Sequence, residues 1–349
     1  MHYVSWEEIS GQSKALGETY RCMSENAGTI RAMLEAPGEI VFLACGSSYW
    51  LSMSGARTFQ LYTGRKATAI KAGDVVMNPG EYAKAFQSPI LVCPSRSGRT
   101  TEQIEAVRII REACGGAPVL SIVEYEDTDL EKIADFTIRL PWANDASVCQ
   151  TRSFSCLYLA IVLISAFISR NVELLQGLQR YIEAAPGLHK RSAQAIEELV
   201  NSFTDFNYLI SLGSGRQYGV AIEGAYIGIE MAILKASYYS VMELRHGPIV
   251  TVNENTLVAI LSNGGAKGLE ENMARDVLKH GGKVLAVVDE GGFANADWVF
   301  EMGGSYPAEA TALYFVFLMQ VFAYRQAMRL GLNPDAPGDL VPLVPYIKL

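Results

Sequence analysis

Three stretches of this chain carry residue types that do chemistry. Cys45-Gly46-Ser47-Ser48 and Ser95-Arg96-Ser97-Gly98-Arg99-Thr100-Thr101 are loops rich in small hydroxyl residues, each following a short apolar run and leading into a helical stretch. At the carboxyl end of a parallel strand, the unpaired N–H groups and dipole of the next helix favour an anion, and Gly98 lets a phosphate come close. The plainer alternative is that Ser and Thr there only cap helices. Neither loop is a Walker P-loop, because no G-x-x-x-x-G-K-[ST] occurs. The third stretch runs from Gly215 to Val250. Glu223 and Glu230, seven apart, lie on nearly one face of an otherwise apolar helix, and Glu243-Leu244-Arg245-His246-Gly247-Pro248 follows. A carboxylate in apolar surroundings and a histidine beside a Gly-Pro turn can move protons near neutrality, although each could instead be a structural hydrogen-bond partner. Gly213-Ser214-Gly215 is no dinucleotide fingerprint, since Tyr218 takes the third glycine's place and Lys235 to Met242 holds no acid for a ribose.

The elements that must hold these residues repeat. Ile40–Cys45, Pro89–Cys93 and Val119–Val123 are continuous apolar runs, as expected of parallel strands buried on both faces, and Thr101–Ala113 carries a helical stripe of Ile104, Val107 and Ile110. Tyr208–Gly213, a helix over Gln217–Leu234, Leu257–Leu261 and Val284–Val288 follow in the same order. The expected fold is α/β, with two tandem three-layer α/β/α units on parallel sheets. The expected division is a helical segment over 1–36, a first unit over 37–170, a helical connector over 171–205, a second unit over 206–330 closing on a helix from 312, and a Pro-rich tail over 331–349 packing over the site.

At 349 residues the chain is about twice a single-domain length, and with half its residues hydrophobic and 19% charged it can fill two cores. Lys+Arg 29 against Asp+Glu 37 gives a net charge of -8 without a basic block, which argues against nucleic-acid and anionic-membrane partners. The six cysteines form no C-x-x-C pair, so free thiols in a reducing compartment are expected, with neither disulfides nor a metal site. No signal peptide is legible near His2-Tyr3-Val4, and a cytoplasmic protein is expected. The apolar stretch Phe154–Ile168, interrupted by Ser155 and Ser165, reads as a buried core helix.

Ala44–Ser48, Ser95–Glu102, Ser147-Val148-Cys149-Gln150-Thr151-Arg152-Ser153-Phe154 and Glu243–Pro248 together resemble the sugar isomerase (SIS) domain family, flavodoxin-like in fold. The likeness is to the isomerase half of glutamine:fructose-6-phosphate amidotransferase and to stand-alone SIS-type amino-sugar-phosphate deaminases and deglycases. The resemblance implies a phosphate clamp at Ser47, Ser48, Ser95, Arg96, Ser97 and Thr100, its turn shaped by Cys45 and Gly46. It sets Val148, Gln150 and Thr151 beside the sugar. Glu230, sixteen residues before His246, would shuttle a proton between C1 and C2, with His246 assisting ring opening from the neighbouring subunit of a homodimer; Glu223 is then structural. No cofactor is implied.

Departures narrow the expectation. The amidotransferase's lysines on this helix are Ile227 and Ile229 here, the position of its Schiff-base lysine is Pro342, and Lys348 does not match. The chain opens Met1-His2 without room for a glutaminase domain, so no ammonia from glutamine is expected. These features fit a substrate bringing its own nitrogen: a 6-phosphorylated amino sugar, deaminated after ring opening. The alternatives are a fructosamine-6-phosphate deglycase and a non-catalytic sugar-phosphate regulator.

Overall fold

The computed structural model describes residues 3–82 and 84–341. Its first half runs α1 (Val4–Glu25), α2 (Ala27–Leu34), β1 (Glu39–Ala44), α3 (Gly46–Thr63), β2 (Ala67–Lys71), α4 (Ala72–Met77), α5 (Pro79–Tyr82), β3 (Pro89–Ser95), α6 (Thr101–Ala113), β4 (Val119–Val123), α7 (Asp129–Ile133), β5 (Phe136–Arg139) and α8 (Arg152–Ser169). After α9 (Val172–Ser202) come β6 (Tyr208–Gly213), α10 (Tyr218–Ala232), β7 (Lys235–Ser240), β8 (Thr256–Leu261), α11 (Lys267–Lys279), β9 (Lys283–Val288), β10 (Trp298–Glu301) and α12 (Ala308–Arg329).

Two five-stranded parallel sheets result, in the orders β2-β1-β3-β4-β5 and β7-β6-β8-β9-β10. The orders are the same, strand for strand, so the expected duplication and the tandem α/β/α fold are what the chain adopts. The six apolar runs are the three inner strands of each sheet; Val41, Leu43, Leu91 and Val119 are fully buried, each worth about 1.5–3 kcal/mol. The four strands that sequence periodicity misses, β2, β5, β7 and β10, are the four edges. An edge strand is only partly covered, so it needs no continuous apolar run.

Each sheet is backed by a helix pair that meets at a glycine. In α3, a Cβ on Gly55 would lie 2.2 Å from Ile161 of α8; in α10, a Cβ on Gly224 would lie 2.5 Å from the Phe315 ring of α12. Apolarity and length alone would let α8 cross a membrane, but 83% of that stretch is buried within the protein. It is the core helix expected over Phe154–Ile168.

The compact units interleave along the chain. One comprises Lys14–Asp145 and Arg152–Leu175; the other comprises Ala146–Thr151 and Gln176–Leu340, together with the residues up to Ser13. In the second unit the tail turns back at Asp335, whose carboxylate accepts from the Val4 and Ser5 N–H groups at 3.0 and 2.8 Å. Pro342 and Lys348 lie outside the described residues.

Candidate active site

In the first unit, β1 and β3 deliver the two hydroxyl-rich loops to adjacent strand ends. Cys45 is the N-cap of α3 and Thr100 that of α6, and neither uses its side chain to cap its helix. Thr128, at the start of α7, shows the usual alternative: its hydroxyl accepts from Glu131 N–H in a full capping box. The hydroxyls of Ser95 and Ser97 accept from the N–H groups of Gly98 (3.1 Å) and Arg99 (3.2 Å), which bends the loop and leaves both hydroxyl protons to be donated elsewhere. Gly98 has φ +58°, and a Cβ there would lie 2.6 Å from Thr128, so only glycine fits the turn. Ser47 and Ser48 are buried in the first turn of α3, beyond Gly46. Burial pushes the Cys45 thiol up to about 12, so it is neutral and shapes the turn rather than attacking. Gln103 fastens the loop by donating to the carbonyls of Leu43 (2.7 Å) and Pro94 (3.1 Å). The result is a cradle of hydroxyl and N–H donors at two uncapped helix starts, suited to an oxyanion.

In the second unit, Glu230 is half-buried in the last turn of α10 and Glu223 is fully buried two turns earlier. Tyr226 lies one turn before Glu230; burial, and then the Glu230 and Glu223 charges, hold its hydroxyl above the usual tyrosine range. His246 is exposed. It ends a short 3-10 turn, Val241–Arg245, and its N–H donates to Glu243 O at 3.0 Å. Arg245 is anchored by Asp276 at 2.7 Å, which fixes the turn. Because α10 ends just before β7 begins and His246 follows just after β7 ends, the two groups stand at opposite ends of a strand ~20 Å long. Exposed apolar side chains flank both: Ile229 and Ile233 beside Glu230, and Val250 beyond His246.

The segment expected beside the sugar belongs to the second unit. Glu8, buried in α1, accepts from Ala146 N–H (2.6 Å), Ser147 N–H (3.2 Å) and the Ser147 hydroxyl. Val148 N–H donates to Asp335 O at 3.0 Å, and Gln320 of α12 donates to Thr151 O at 2.8 Å. Val148 and Gln150 stay partly exposed, whereas Thr151 is fully buried. Sequence reading missed Glu8, Gln320 and Asp335, since nothing local marks a partner more than a hundred residues away.

It also missed Glu124. This carboxyl directly follows β4 at the strand's carboxyl end, which was the available signal. It is 2% exposed and accepts from the Ser153 hydroxyl at 2.7 Å. Its N–H donates to Arg96 O at 3.3 Å.

Residues 33–170 match the SIS domain family. The chain is 27% identical to a glutamine--fructose-6-phosphate aminotransferase [isomerizing] of Vibrio cholerae, over 98% of this chain and 58% of that one. It is 25% identical to the protein of that name from Aquifex aeolicus, over 97% and 57%. It therefore spans less than three fifths of these relatives. Among solved structures, a glucosamine-6-phosphate deaminase from Thermotoga maritima superposes with a TM-score of 0.82 at 23% identity, covering 98% of this chain and 99% of that one. A tagatose-6-phosphate ketose/aldose isomerase from Escherichia coli superposes with a TM-score of 0.83 at 22% identity, covering 99% and 97%. Residues 33–170 are thus matched as an SIS domain, and the two tandem parallel-sheet units of the whole chain share the fold of these solved structures.

Proposed function

We propose that this protein is a phosphosugar isomerase-type enzyme that deaminates a 6-phosphorylated amino sugar, glucosamine 6-phosphate being the type substrate. The observation that carries the reading is the first unit's cradle, where Ser47, Ser48, Ser95, Arg96, Ser97 and Thr100 surround two uncapped helix starts, as a phosphate ester requires. In the reaction His246 assists ring opening. Glu230 then takes the proton from C2 and returns it to C1, leaving an imine at C2. Water adds to that carbon and ammonia leaves, giving fructose 6-phosphate. The substrate carries its own nitrogen, so no enzyme lysine is needed, in keeping with Ile227 and Ile229 on α10. Val148 and Gln150, which stay partly exposed, line the sugar, and the buried Thr151 holds their segment through its carbonyl to Gln320.

One sugar phosphate cannot touch groups at both ends of β7, so Glu230 of one protomer works with His246 of its partner in a cytoplasmic homodimer. The exposed Ile229, Ile233 and Val250 suit burial against a second copy. The deciding experiment offers glucosamine 6-phosphate and a panel of fructosamine 6-phosphates to the purified chain, reading ammonia, fructose 6-phosphate and released amino acid. Ammonia with fructose 6-phosphate is expected. Release of amino acid alone makes it a deglycase, and binding without product makes it a sensor. Mixing Glu230→Gln with His246→Ala, each inactive alone, should restore ~25% of wild-type sites, because half the dimers are mixed and each has one intact site. Recovery below ~2% after verified exchange places both residues in one chain's site.

A further inference from the structure

The carboxyl ends of β6, β8 and β9 frame a cavity of about 450 Å³ within the second unit, lined by none of the residues assigned to the reaction above. It opens at the switch point of that sheet, where the chain leaves β6 towards β7 and β8 towards β9, which is where open α/β sheets bind ligands. The volume suits a small organic molecule and is far more than one ion fills. Among the described residues no group of His, Cys, Asp and Glu is placed to hold a metal. The cations of the lining are already engaged: Arg216 meets the fully buried Glu309 at 2.9 Å, and Lys267 donates to Gly291 O. The acids are not. Asp289 Oδ2 accepts from Tyr306 N–H at 2.8 Å and the Gly304 N–H faces the carboxylate, yet Oδ1 is buried with no donor closing a hydrogen bond on it. Glu290 is exposed and takes the Ser305 hydroxyl at 3.2 Å on one oxygen.

We propose that this cavity is a second binding site, for a small polyhydroxylated amine such as an amino sugar without phosphate: its ammonium group donates to Asp289 Oδ1 and to Glu290, and its hydroxyls meet Asn263 and Thr311. An ammonium offers three donors and no acceptor, which matches two carboxylates with open oxygens, and pairing Oδ1 removes the cost of a buried acceptor left unmade. The other two polar groups suit hydroxyls. Asn263 spends its carbonyl on Gly265 N–H at 2.9 Å and keeps its N–H donors, and Thr311 stands in the first turn of α12 on the cavity wall. An anion is opposed, because Asp289, Glu290 and Glu309, with Glu270 just behind the loop after β8, outnumber Arg216 and Lys267. Glu270 also holds the Ser262 hydroxyl and the Asn263 N–H, the loop donors that an oxyanion would need. A neutral sugar would leave the two carboxylates without a counter-charge. The site lies wholly in the second unit and shares no residue with the deamination proposed above, so it stands independently of that reading.

The test is calorimetry on the full chain with glucosamine and glucose as probes, at a single value of about pH 6, where an amine is charged and exposed carboxylates are ionised. Glucosamine should bind, and glucose should bind at least about tenfold more weakly, the factor that one charge-assisted hydrogen bond supplies. Asp289→Asn and Glu290→Gln should each weaken glucosamine by about tenfold, whereas Ser97→Ala, in the first unit's cradle, should leave its affinity within about twofold. No binding of glucosamine up to ~10 mM overturns the proposal, as does a smaller preference over glucose. Wild-type affinity in Asp289→Asn, or loss of binding in Ser97→Ala, places the amine elsewhere and overturns it as well. Should Asp289→Asn not fold, Glu290→Gln, at an exposed position, decides by the same criterion. Ammonia release from glucosamine 6-phosphate is read in a separate assay, so either proposal can fail without the other.

Discussion

The loops after β3 and after β8 sit at equivalent ends of identically ordered sheets, and they treat an anion in opposite ways. After β3, Ser95 and Ser97 brace the turn while Thr100 leaves the start of α6 uncapped. After β8, Ser262 likewise accepts from Gly264 N–H (3.3 Å), and Asn263 accepts from Gly265 N–H (2.9 Å). There, however, the first turn of α11 supplies Glu270, whose buried carboxylate takes the Ser262 hydroxyl and the Asn263 N–H. The corresponding helix in the first unit offers the neutral Gln103, which donates to two strand carbonyls instead. A duplicated fold thus supplies two equivalent anion sites, and one acidic side chain fills the second from within. The difference is consistent with the proposal that ligand phosphate goes to the first unit and Glu230 and His246 act from the second.

The largest effect expected from that division is kinetic. Glu230→Gln should lower kcat by about 10²–10⁴ while leaving ligand binding nearly intact, because it removes the base and keeps the shape. Ser97→Ala and Thr100→Ala, in the other unit, should chiefly raise KM, each by about tenfold, since a phosphate contact supplies uniform binding. Steady-state kinetics checks both; a Glu230→Gln enzyme retaining more than a tenth of wild-type kcat, or an unchanged KM in both cradle variants, breaks the division of labour.

Glu270→Ala should be felt next, at about 1–3 kcal/mol of stability, since it strands the buried Ser262 hydroxyl and Asn263 N–H. Phosphate should then restore part of the loss by occupying the vacated donors, an effect absent from the wild-type second loop. Denaturant titrations with and without phosphate read this directly, and a Glu270→Ala protein indifferent to phosphate would mean that the two loops differ in more than one carboxylate.

The smallest effect separates the helix pairs. Gly224→Ala should cost about 1–3 kcal/mol, because its Cβ meets the rigid Phe315 ring, whereas Gly55→Ala should cost less, because Ile161 offers the end of a rotatable side chain. Equal losses in the two variants would count against this account of the packing.

Inner strands, long helices and hydroxyl loops were legible because their signals are local: period, apolar runs, and glycine where a turn needs it. The edge strands were not, since partial cover lets Lys235–Ser240 stay polar and still pair along its whole length with β6. Residue type and spacing offered Glu223, Glu230 and His246 as candidates, and the family resemblance singled out Glu230. The placement of Glu230 and His246 at opposite ends of β7 needed the topology, which turns sixteen residues of sequence into a strand's length of separation.

By itself, then, the sequence determined the repeated α/β order and singled out as candidates two hydroxyl-rich loops, Glu230 and His246. Only the tertiary structure decided which of those groups are already satisfied. Glu8 and Asp335 come from opposite ends of the chain to hold residues 146–148, and Glu270 reaches back to close the second loop. The Glu124 carboxyl is pushed up to about 8 only because burial among its neighbours in the fold excludes water around it. Desolvation and long-range hydrogen bonding depend on what packs against a residue, and no window of neighbouring letters contains that.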